Sequence, residues 1–115
     1  MIRKLVLAAA ILALPVSAIA HHGWSSYDET KTIKHRAALS SLKWGSPHGT
    51  AKVRYQGATW DVILAPVQRM EGRGLSKAMV GPRQLVTIEG YPRRDGVREM
   101  RIERVTAGKR VVELR

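Results

Sequence analysis

Apolar and polar positions alternate along most of the chain beyond residue 30, and the alternation changes parity once. In "TIKHRAALSSLKW" (32–44), Ile33, His35, Ala37 and Leu39 share one face, after which Leu42 and Trp44 fall on the other parity. A period of two sends alternate side chains to opposite faces of a sheet, and one inserted residue reverses the faces. The run therefore predicts one long strand bent at a bulge. "WGSPHG" follows, a turn built on Gly45, Pro47 and Gly49. "TAKVRY" and "ATWDVILA" alternate in the same way on either side of Gln56-Gly57 and predict a hairpin.

Pro66 ends that hairpin. In "VQRMEGRGLSKAMV" the apolar residues stand at 67, 70, 75, 79 and 80, a helical spacing weakened by Gly72 and Gly74, so one short helix is expected. "QLVTIEGYP" predicts a strand closed by Gly90 and Pro92, "RRDG" a turn centred on Asp-Gly, "VREMRIERVT" the returning strand and "RVVELR" a last short one. The order is β-β-β-α-β-β with a terminal strand. A long bent first strand, a helix after the third strand and a closing hairpin together predict a mainly β fold, a small OB-like Greek-key β-barrel of five to six strands with one short helix. An open antiparallel sheet carrying one helix is the competing architecture.

The first twenty residues follow a different pattern. "MIRK" is positive, "LVLAAAILALPV" is apolar, and Ala18-Ile19-Ala20 has the small-x-small form of a signal-peptidase site. A spanning helix needs about 20 apolar residues, and this stretch is shorter and broken by Pro15. The expected organisation is thus a cleaved secretory signal over 1–20, a single domain over 21–115, a periplasmic location and no transmembrane anchor after cleavage. The chain has no cysteine, so its core must hold it without disulfides.

Cleavage after Ala20 would make histidine the first residue. His21 then offers a free amine and an imidazole together, His22 adds a second ring, and His48 in the Pro47 turn could supply a third nitrogen. An all-nitrogen donor set suits Cu(II) first, with Ni(II) and Zn(II) behind it. His21, His22 and His48 are the candidate metal ligands, and copper the candidate cofactor. A flexible, solvated His-His end is the competing account. His35 shares its strand face with Ile33 and Ala37 and reads as a half-buried histidine. Trp24 and Tyr27, three apart, could pin the N-terminal segment to the barrel, whereas Trp44 and Trp60 read as core.

The net charge of +11 becomes +9 once Arg3 and Lys4 leave. A basic exported domain is attracted to anionic surfaces, which makes lipid, polysaccharide or a protein partner of the envelope the second functional expectation. "RRDGVR" is its densest basic tip, although ion pairs across strands explain most of the charge on "VREMRIERV". Oligonucleotide binding, common on OB barrels, is disfavoured because export removes the substrate. Catalysis is not expected: Ser25, Ser26 and Ser46 sit in no strand-to-helix elbow, and Asp28 and Glu29 are adjacent, so in a strand they point apart.

Several motifs together resemble a bacterial family of small exported proteins, domain of unknown function 6152. They are "HHGWSSYD" (21–28), "WGSPH" (44–48), "WDVILAPVQRMEGRGL" (60–75), "VTIEGYPRRDG" (86–96) and "EMRIERVTAGKRVVELR" (99–115). The resemblance spans the domain, and its most specific part is the pairing of His-His with Pro-His. Ser46 stands where the pattern favours Asn, and "GPR" replaces its Pro-Gly. The resemblance implies export and this fold, and lends His21, His22 and His48 shared interest. It implies no activity.

Overall fold

The structure, a computed structural model, describes residues 23–115. His21, His22 and the expected signal over 1–20 lie outside the described residues. The bent first strand is present as two segments, β1 (Ile33–Ala38) and β2 (Ser40–Lys43). Leu39 joins them and is buried, Ser41 adopts a φ of 49°, and the β2–β3 ladder shifts register between Ser40 and Lys43. The change of parity in the sequence is this bulge.

β3 (Thr50–Tyr55) and β4 (Ala58–Ile63) form the expected hairpin, turned at Gln56-Gly57 with φ of 47° and 76°. Two positive φ angles make the tight turn whose twist matches its strands. α1 (Val67–Gly72) is the one short helix expected in this stretch, and a 3-10 turn over Lys77–Val80 follows it. Gly74 adopts a φ of 93° between them, which suits glycine far better than other residues. β5 (Leu85–Pro92), β6 (Glu99–Ala107) and β7 (Arg110–Glu113) complete the fold.

The strands lie in one sheet of order β1-β5-β6-β4-β3-β2, with β7 added to β6. Its two ends, β1 and β2, are consecutive in the chain, so the sheet curls back on itself. β4 and β6 run parallel, and every other pair is antiparallel. This is the OB-like Greek-key connectivity. The parallel pair and the curl rule out the open antiparallel alternative, and seven strand segments appear because the bend splits the first strand.

Alternate residues of the strands (Val53, Val62, Ile88, Met100, Ile102 and Val105) point inward, each no more than 1% exposed. Met70, Leu75 and Val80 from the helical stretch enter the same core. Trp44 and Trp60 pack against it half-buried, short of full core positions. Two details differ from the pattern. Gly90 does not close β5 but lies inside it, at a second bulge against β6. The loop at "RRDG" is longer than a two-residue turn, since Arg93 N–H donates to the Glu99 carbonyl at 3.1 Å and residues 94–98 form the tip.

Candidate functional site

The N-terminal segment is fastened to the tip of the β5–β6 hairpin. Trp24–Ser26 form a 3-10 turn, and Tyr27 bridges to Arg93. Asp28 N–H donates to the Pro92 carbonyl at 2.8 Å, while Arg94 donates from its backbone N–H to Ser26 and from Nε to Ser25, each at 3.0 Å. Asp28 accepts the N–H and the hydroxyl of Thr30, which lowers its pKa and sets the path toward β1.

Two aromatic side chains do the fastening, as their spacing suggested. Tyr27 is fully buried, and its hydroxyl donates to Glu99 at 2.7 Å. Burial first, then the Glu99 carboxylate, raises the Tyr27 pKa. Trp24 meets Tyr91 edge-on, with centroids 6.3 Å apart. Its ring also carries two guanidinium groups, Arg101 at 4.4 Å and Arg115 at 4.5 Å from the centroid. Cations over an indole face are attracted by the ring quadrupole.

The two arginines on this ring are not equivalent. Arg115 reaches Glu29 at 2.6 Å and Glu103 at 3.5 Å. The Arg101 side chain makes no hydrogen bond or ion pair with any described residue, and its Nη1 is buried. Burial lowers its pKa; Tyr27 opposes this and the positive fields of Arg69 and Arg115 add to it. Arg69 donates to the Leu114 carbonyl at 3.0 Å, and Arg73 donates to the carbonyls of Glu113 and Arg115 at 2.8 and 2.9 Å. Arg69 makes no ion pair among the described residues.

Arg104 and Arg93, by contrast, are matched by acids. Arg104 pairs with Glu113 and Glu89, as expected for strand-to-strand ion pairs. Arg93, in the basic tip singled out by the sequence, is held by Asp95 at 2.7 Å and Glu99 at 3.3 Å. The tip is therefore partly neutralised by its own acids. The sequence missed Arg69 and Arg101 as candidates because the alternation of "VREMRIERV" assigns Arg101 to a face without saying what covers that face.

The histidines are spread out. His35 lies on β1 with Nε2 2.9 Å from the Arg54 carbonyl and its ring edge-on to Tyr55. It is half-buried, as its strand face predicts. His48 occupies the β2–β3 turn with Nε2 turned out of solvent. That turn borders a groove of about 440 Å³ lined by Trp44, Ser46, Pro47, Pro66 and Val67. Gly49 beside it permits close packing, since a Cβ there would lie 3.0 Å from the Met70 methyl. Thr50 pairs with Ile63, and Ile63 with Arg101. Two strand spacings, roughly 10 Å, thus separate the strand leaving the His48 turn from the residue under Trp24.

Among the described residues, no three His, Cys, Asp or Glu side chains are grouped to hold a metal ion, and no helix is long and apolar enough to cross a membrane. No curated protein matches the chain. The model of a family of unknown function, DUF6152, matches residues 9–101, most of the sequence, and the chain belongs to that family.

Proposed function

We propose that the protein is an exported, non-enzymatic binding module that takes one Cu(II) ion through the amine and ring of His21, the ring of His22 and His48. The observation that carries this reading is the fastening of Trp24 and Tyr27 to the barrel. From Gly23 onward, whose carbonyl accepts the Ser26 N–H, the described backbone is held against the barrel wall. The strand row Thr50–Ile63–Arg101 leads from the His48 turn toward that segment. Cleavage after Ala20 supplies the free amine, and nitrogen donors favour Cu(II) among the divalent ions.

The test is copper uptake by protein exported from cells, with its N-terminus sequenced. One tight equivalent is expected on a chain beginning at His21. Either His48→Ala or an extra residue ahead of His21 should weaken it by roughly tenfold or more, in line with losses when a metal's environment is altered. Unchanged affinity in both variants would remove this reading.

A second reading is favoured by the arginines that have no acidic partner. Arg69 and Arg101 make no ion pair with a described residue. Such unmatched charge suits an anionic component of the envelope, in lipid, polysaccharide or a protein partner.

A further inference from the structure

We infer that Arg101, Arg69 and Arg115, gathered beside Trp24, form a receptor for a phosphate group. The inference deepens the anionic reading above and rests on it. Arg101 and Arg115 share one indole, and their distances from its centroid cap the separation of the two guanidinium carbons at about 9 Å. Arg69 is tied to the same corner through the carbonyl of Leu114, the residue preceding Arg115, and its charge is felt at Arg101. Arg73 stands behind it on the carbonyls of Glu113 and Arg115.

The charge balance selects the ligand. Arg115 is compensated by Glu29 and Glu103, but among the described residues Arg69 and Arg101 have no carboxylate partner. Gathering like charges around a half-buried guanidinium is costly unless an anion offsets them. A carboxylate brings one negative charge; a phosphate monoester brings about −1.5 to −2 at neutral pH with three acceptor oxygens. The planar guanidinium fork matches two of those oxygens at once. The Trp24 ring holds Arg101 in place, so little side-chain freedom is lost when the ligand arrives.

The experiment titrates the purified protein with inorganic phosphate at constant ionic strength, following the indole N–H resonance of Trp24. A parallel arm measures retention on vesicles containing phosphatidic acid. The inference expects saturation in at least one arm: in the first the ligand is a free phosphate, and in the second alone it is a lipid headgroup. Arg101→Gln should weaken the saturating arm by about tenfold or more, the scale of a lost hydrogen bond to a charged group. Arg69→Gln, which leaves the Trp24 stack intact, should do the same. Arg54→Gln, on the β3–β4 hairpin, should not. Absence of saturation in both arms overturns the inference, as does equal weakening by Arg54→Gln. Salt-dependent vesicle retention untouched by Arg101→Gln and Arg69→Gln would overturn this site while leaving the broader anionic reading in place.

Discussion

Asp95 shows how much a single side chain contributes at the β5–β6 tip. Arg93 donates to both of its carboxylate oxygens and the Val97 N–H to one, and these contacts bring its pKa from 3.8 to about 2. A carboxyl whose folded pKa is depressed stabilises the fold fully above its unfolded pKa and loses that contribution as pH falls through the folded one. The melting temperatures of wild type and Asp95→Asn should therefore differ above about pH 5, approach each other between about pH 4 and 2, and coincide below that. A difference independent of pH would show that the carboxylate is not the source. The sequence marked "RRDG" as a turn from its Asp-Gly pair. It could not show that Arg93 is occupied by Asp95 and Glu99 while Arg101 is not, because that depends on which acids fold within reach.

Strands register the same limits one level up. The bulge between β1 and β2 was legible because a change of parity is a property of neighbouring residues. The bulge at Gly90 was not, because its cause lies on another strand. A Cβ at residue 90 would collide with the Arg101 carbonyl and come within 2.9 Å of the Ile102 Cα, all backbone atoms that cannot swing aside. Gly90→Ala should accordingly destabilise the protein by about 1–3 kcal/mol or more, the scale of overpacking, read from urea unfolding. Gly45→Ala is the matched control: nothing lies within 4 Å of its added methyl, and its effect should stay within about 0.5 kcal/mol. Equal losses in the two variants would refute the steric account. The short helix was legible from its spacing, and it ends at Gly72 as the glycines suggested; the 3-10 turn over Lys77–Val80 beyond Gly74 was not.

For the molecule as a whole, closure of the barrel depends on the bend at Leu39. This residue joins the two ends of the sheet path and is only 3% exposed. Leu39→Ala should cost about 2–5 kcal/mol through lost burial and the cavity left behind, with unfolding still a single transition, as small domains usually show. Two separate transitions would mean that the halves on either side of the bend hold their structure independently. The barrel itself was readable from the order of strands and helix, since connectivity leaves few ways to bury every apolar face. The candidate sites were readable only in pieces: the spacing of Trp24 and Tyr27 foretold the fastening, while the arginines beneath it are brought there by distant parts of the chain. The Gln56-Gly57 turn has a practical corollary. Both of its residues are exposed, and the hairpin carries them roughly 20 Å along β4 from Ile63, at about 3.3 Å per residue. A fluorophore or short peptide handle spliced in there would report on the docked ligand from outside its footprint, on a loop tip of the kind that accommodates inserted chain.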